Sequence, residues 1–158
     1  MVLHFLVGAA ACICNIAIHA LTMTIVVRVA QRVSARTAPQ PALFLIATMT
    51  ATVSVLMVAH LLEVVVWAQT YAIVGAAPAG ADVLYFAFVN YTTLGYGDVI
   101  PVKQWRLLGP TTAMCGVLMF GWSTAVIFEV LRKAMAMPTA GQAPPANDRK
   151  SPDTTLPR

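Results

Sequence analysis

Charge is scarce in this sequence. Only 10% of its 158 residues are Asp, Glu, Lys or Arg, whereas a soluble domain carries about 25–35% of them on its surface. Cysteine is almost as rare. Cys12, Cys14 and Cys115 all lie in apolar runs, with no metal-ligand spacing to histidine, so they read as small packing residues and not as a disulfide framework. No nucleophile–base pair, metal cluster or phosphate-binding loop is present, and no enzymatic activity is expected. No apolar run carries arginine at every third position, which excludes a voltage-sensing helix. The N-terminus, Met1-Val2-Leu3-His4, has no positive region, and the apolar run behind it is about twice a signal-peptide core, so a membrane helix is expected there.

Hydrophobic residues dominate: they make up 59% of the chain, and its mean hydropathy is +0.76. Crossing a bilayer takes about 20 predominantly apolar residues, and three runs are long enough: Val2–Val27, Pro41–Ala68 and Leu107–Leu131. A fourth run, Asp82–Thr93, is too short. That length suits a re-entrant helix, which is tolerated at membrane depth only when buried in protein or lining water. From Met137 onward Pro, Ala, Thr, Asp and Lys prevail with almost no large apolar groups, a composition expected to stay disordered.

Basic residues mark an orientation. Arg28, Arg32 and Arg36 lie between the first two spans, and Arg132, Lys133, Arg149, Lys150 and Arg158 follow the third. Only Lys103 and Arg106 lie between spans two and three. The positive-inside rule then places the linker and C-terminus in the cytoplasm and the N-terminus outside. The same distribution accounts for the pI of about 9.3 without nucleic-acid binding.

Between the short run and the third span stands Tyr91-Thr92-Thr93-Leu94-Gly95-Tyr96-Gly97-Asp98. Gly95 and Gly97 permit backbone angles closed to other residues, so the carbonyls of Thr93, Leu94, Gly95 and Tyr96 can face one side, joined by the Thr93 hydroxyl. Four such strands around an axis would replace the hydration shell of K+. The short helix before them is expected to be capped by Asp82 and to turn its partial negative end toward a cation. Tyr85, Phe86, Phe88 and Tyr91 would surround the filter as an aromatic cuff or pack against neighbouring helices.

In the third span Val117, Phe120, Thr124 and Phe128 share a helical face, assigned to a water-filled cavity with Phe128 as a constriction. Gly116 and Gly121 suit a hinge or a close helix contact, close packing being the commoner role. Pro110 should kink or start this helix. In the second span His60, Glu63 and Trp67 share a face. An ionisable residue within a span calls for a partner, and Glu63 is expected to pair with Arg106 or to hydrogen-bond behind the filter. Trp67 reads as an interfacial anchor. His60 could lend pH sensitivity, although a neutral packing role suits it, His4 and His19 alike.

Over about residues 41–133 the chain resembles the potassium channel pore-domain family, and more narrowly small bacterial members with one extra N-terminal span. The resemblance rests on Thr92-Thr93-Leu94-Gly95-Tyr96-Gly97-Asp98, Pro101, Trp105-Arg106 and Gly116, together with His60–Ala68 and Phe120–Thr124. It implies an all-α membrane protein of three transmembrane helices plus a pore helix and filter loop, assembled as a homotetramer in a bacterial inner membrane. The organisation expected is an N-terminal helix over 1–33, a basic linker over 34–41, a pore domain over 42–134 and a tail over 135–158. Permeant K+ would be bound at Thr93, Leu94, Gly95, Tyr96 and Gly97, with filter support from Asn90, Thr92, Asp98, Glu63, Arg106 and Trp67. No cofactor, nucleic acid or small-molecule substrate is expected, and membrane lipid is the other partner. Many family members have Val where Leu94 stands. Some keep a carboxylate behind the filter where this chain has Val89 and Asn90. The alternatives are a non-selective cation channel and a non-conducting accessory or transporter subunit.

Overall fold

In the computed structural model residues 2–34 and 41–135 are described. They form four helices and no strand: α1 (Val2–Ser34), α2 (Pro41–Val74), α3 (Val83–Tyr91) and α4 (Leu108–Met135), with a 3-10 turn at Lys103–Trp105 before α4. The helices α1, α2 and α4 are long and apolar enough to cross a membrane, whereas α3 has nine residues. The protein is therefore an all-α membrane protein with one re-entrant helix. The linker and tail, with Arg36, Arg149, Lys150 and Arg158, lie outside the described residues.

Each long helix continues past the apolar run that announces it. The second runs on to Val74, beyond Ala68, because Gln69 to Val74 contains no helix breaker. Gly75 then stops it. Its φ of 64° allows Ala76 N–H to reach back to the Tyr71 carbonyl at 3.0 Å and Gly75 N–H to that of Ala72 at 3.4 Å. This left-handed glycine termination satisfies carbonyls that would otherwise be orphaned. Pro110 falls in the first turn of α4, where its missing N–H costs nothing.

Contacts along the bundle set the directions of the spans. His4 packs edge-on against Trp105 at 4.6 Å, Cys12 meets Cys115, and His19 meets Ser123, so α1 and α4 run parallel. Met23 and Val26 of α1 share a cluster with Leu56 of α2 and with Val126 and Val130 of α4, which makes α2 antiparallel to both. The N-terminus, the Gly-rich loop and the start of α4 consequently share one end of the bundle. The larger core lies at that end and gathers Val64, Trp67, Tyr71, Phe86, Tyr91, Leu108 and Cys115. Trp67 is fully buried there, which corrects its assignment as an interfacial anchor: it sits on the inward side of α2, facing α3 and α4 rather than the headgroups.

Most remaining apolar side chains are exposed, including Leu43, Ile46, Val58 and Leu118. In water such a surface would aggregate; in a bilayer it is matched to its solvent. The threonines obey the same logic. Thr22, Thr52, Thr70, Thr112 and Thr124 each donate to the carbonyl four residues back, at 2.8–3.0 Å, so these hydroxyls are not stranded in hydrocarbon.

Candidate functional site: the Gly-rich loop and its buttress

The re-entrant helix is built as its sequence predicts. Asp82 caps it, its carboxylate accepting from Leu84 N–H at 2.9 Å and Tyr85 N–H at 3.1 Å. At the far end Thr92 caps the helix, and its hydroxyl donates to the Phe88 carbonyl at 2.7 Å. Phe86 and Tyr91 are buried within the protomer, while Tyr85 and Phe88 are 37% exposed.

The chain then leaves helical geometry in an alternating manner. Thr93, Gly95 and Gly97 have φ of 60°, 57° and 80°, whereas Leu94 and Tyr96 do not have positive φ. For a β-branched residue such as Thr93 the left-handed region is an outlier, held with about 1–3 kcal/mol of strain that surrounding structure must outweigh. Two hydrogen bonds hold it: Thr93 N–H to the Asn90 carbonyl at 3.2 Å and Leu94 N–H to the Val89 carbonyl at 3.0 Å. Residues Thr92 to Asp98 are all exposed in the single chain. Tyr85 OH donates to Asp98 at 2.7 Å, tying the outgoing end of the loop to the first turn of α3 and pushing the Tyr85 phenol above its ordinary pKa. Asn90 turns back to the Phe86 carbonyl at 3.0 Å and lies against Gly109, where a Cβ would meet its oxygen at 3.2 Å.

Behind this loop sits a polar cluster drawn from all four helices. Glu63 of α2 is fully buried. One of its oxygens is 2.7 Å from His19 Nδ1 of α1, and the other is 3.2 Å from His60 Nδ1 and accepts a short hydrogen bond from Tyr91 OH of α3. Ser123 Oγ of α4 is 3.0 Å from His60 Nε2 and 3.3 Å from His19 Nε2. Asn15 of α1 is buried beside them, with its amide 3.5 Å from the Glu63 carbonyl. Phe120 covers the cluster, its ring 4.5 Å from that of His60.

This arrangement corrects one expectation and sharpens another. Glu63 does not pair with Arg106, which is exposed; its two oxygens are already engaged by two histidines and a tyrosine. The alternative, hydrogen bonding behind the Gly-rich loop, is the one formed. The sequence suggests only a neutral packing role for His19 and none for Ser123, because polar residues one turn or more apart in an apolar helix look alike whether they face lipid or a partner. The one available signal was Glu63 itself, a buried acid in need of partners, with two histidines elsewhere in the spans.

On α4, Gly116 packs where no side chain fits: a Cβ would overlap the Tyr91 carbonyl oxygen and lie 3.1 Å from its carbon. A close contact accounts for this glycine without a hinge. Gly121, by contrast, has open space around it. Val117, Phe120, Thr124 and Phe128 all lie exposed along one side of α4.

No curated protein and no solved structure matches the chain. Residues 59–133, from the middle of α2 through α3 and the loop to the end of α4, match the family model described as ion channel. Over that segment, which holds the Gly-rich loop between two helices long enough to cross a membrane, the chain is similar to ion channels of that family.

Proposed function

We propose that this ion channel is selective for K+ and that four copies surround one axis, each contributing Thr93 to Gly97. The observation that carries the reading is the alternation of positive φ at Thr93, Gly95 and Gly97 with non-positive φ between them. In an extended strand of uniform handedness successive carbonyls point to opposite sides. Alternating handedness turns them to the same side, the arrangement an ion needs in order to exchange water for carbonyl oxygen. One chain supplies one strand, and one strand cannot enclose an ion, so oligomerisation follows from the chemistry. The exposure of Leu94, Tyr96, Val117 and Phe128 in the single chain fits faces turned toward an axis and toward neighbouring copies.

The same reading orients the protein. The loop and the N-terminus face outward, and the basic end of α4, where Arg132 and Lys133 bridge Glu129 at 2.8 and 3.1 Å, faces the cytoplasm of a bacterium. K+ then passes down its gradient without covalent chemistry.

The test is the reversal potential of the purified protein in a bilayer under opposed K+ and Na+ gradients. A value near the K+ equilibrium potential is expected. A current that reverses near zero would refute selectivity. Gly95→Ala should abolish selectivity while leaving the oligomer intact, since its neighbourhood is open, with only the Thr93 carbonyl at 3.8 Å, but its left-handed φ costs an L-residue about 1–2 kcal/mol.

A further inference from the structure

The cluster behind the loop holds an imbalance of protons. Ser123 has one hydroxyl proton to share between His19 Nε2 and His60 Nε2. Tyr91 has one to share between Glu63 and His60 Nδ1, the latter 2.9 Å away. A neutral imidazole carries one N–H and one lone pair, and an ionised carboxylate only accepts. With Glu63 ionised and both rings neutral, every choice of tautomers leaves an acceptor facing an acceptor. If both Nδ1 atoms donate to Glu63, one Nε2 faces the Ser123 oxygen without a proton. If either Nδ1 lacks its proton, a lone pair faces the carboxylate.

One additional proton resolves all of it. Both Nδ1–H groups then donate to Glu63 and Tyr91 OH donates to the same carboxylate. One Nε2–H donates to Ser123, and Ser123 donates to the other ring. The charge balances at the same stroke. Glu63 and His19 are fully buried, and among the described residues the only ion pairs of Glu63 are with His19 and His60. The other titratable groups nearby are Tyr91 on α3, Cys12 on α1 and Cys115 on α4, none of them cationic. A bare buried carboxylate is costly in a membrane, whereas a carboxylate sharing a proton with two imidazoles is neutral overall. A divalent metal ion bound by the same atoms would leave net positive charge in the same place, so the charge balance favours the proton.

We propose that His19, Glu63 and His60 form a binding site for a single proton, and that this proton fastens α1 to the pore loop through Tyr91. His19 is thereby a positioning residue supplied by the helix outside the matched ion-channel segment. Tyr91 stands two residues before Thr93, so loss of the proton withdraws support from the strained start of the loop. Proton binding stands independently of the K+ reading. Its effect on conduction rests on that reading.

Solid-state NMR of 15N-histidine-labelled protein in lipid bilayers tests the site directly, because the chain has only three histidines. Near pH 7, within the range where histidine charge responds to environment, the signals of His19 and His60 should carry one imidazolium equivalent between them, lost in Glu63→Gln. K+ flux through the wild-type protein should fall over the same rise in pH that removes the imidazolium signal, with the Glu63→Gln profile flatter. Two neutral rings in the wild-type spectrum would overturn the proposal without touching the selectivity reading. So would histidine signals that follow added Zn2+ and its chelation. An imidazolium signal with pH-independent flux would overturn the coupling to conduction.

Discussion

Replacing Gly116 with alanine is the sharpest probe of how α4 holds the loop. The added methyl would overlap the Tyr91 carbonyl oxygen and sit 3.1 Å from its carbon and 3.4 Å from Cδ2 of its ring. The first of these is backbone, so no side-chain rotation relieves the overlap: α4 or the end of α3 must move by a sizeable fraction of an ångström. Overpacking of this kind costs about 1–3 kcal/mol, and a backbone clash belongs at the upper end. Helix propensity works the other way, favouring alanine over glycine by about 1 kcal/mol, so a net loss of about 1–2 kcal/mol is expected. Gly121→Ala supplies the control. It sits five residues later on the same helix with open space around it, so it keeps the propensity gain without the clash. Thermal unfolding in detergent should rank Gly116→Ala below wild type and Gly121→Ala at or above it, and, on the K+ reading proposed above, selectivity over Na+ should fall only in the former. If Gly116→Ala matched wild type in both readouts, the close approach of α4 to the Tyr91 carbonyl would be wrong, and a flexible role for this glycine would return.

Two further outcomes follow from the same contacts. Cys12 and Cys115 present sulfurs 2.8 Å apart as free thiols, whereas Cys14 is exposed on another face of α1; a membrane-permeant oxidant should therefore join α1 to α4, detected by mass spectrometry of a digest, and Cys12→Ser but not Cys14→Ser should abolish the link. Asp82→Ala removes both capping bonds of α3 and should cost about 0.5–2 kcal/mol, seen as a lower melting temperature in detergent.

Much of the fold is legible in the sequence because a membrane reduces the problem to length and charge. Three apolar runs and one short one give the helix order, and the Gly-rich run gives the loop. Asp82 as a cap and the break before Thr93 need only local rules. Helix ends were less legible: hydropathy falls off at the bilayer surface, but α2 ends where Gly75 can adopt positive φ, six residues past Ala68. Side-chain facing was least legible. Trp67 has the chemistry of an interfacial residue and lies in the core, and the sequence alone does not choose between Arg106 and a hydrogen bond behind the loop as the partner of Glu63. What separates these cases is three-dimensional register between helices distant in sequence, which periodicity within one helix does not contain.

That register has a physical source in the polar residues themselves. In lipid, apolar side chains give helices little reason to prefer one mutual position over another, since tails are as apolar as leucine. Asn15, His19, Glu63 and Ser123 remove this degeneracy. Each is costly facing hydrocarbon, and one relative position of α1, α2 and α4 brings them together with Tyr91. Gly8 reinforces the choice, since a Cβ there would meet the Thr111 methyl at 2.7 Å, as does Cys12 beside Cys115. The first helix is thus keyed to the others at three levels along its length, at Gly8, Cys12 and Asn15–His19. The deepest of these keys is the one that touches the helix leading into the loop. A sliding or rotated α1 would break the Glu63 network before it lost much apolar contact. The contribution of α1 to the channel therefore lies in polar positioning of the loop rather than in added hydrophobic area.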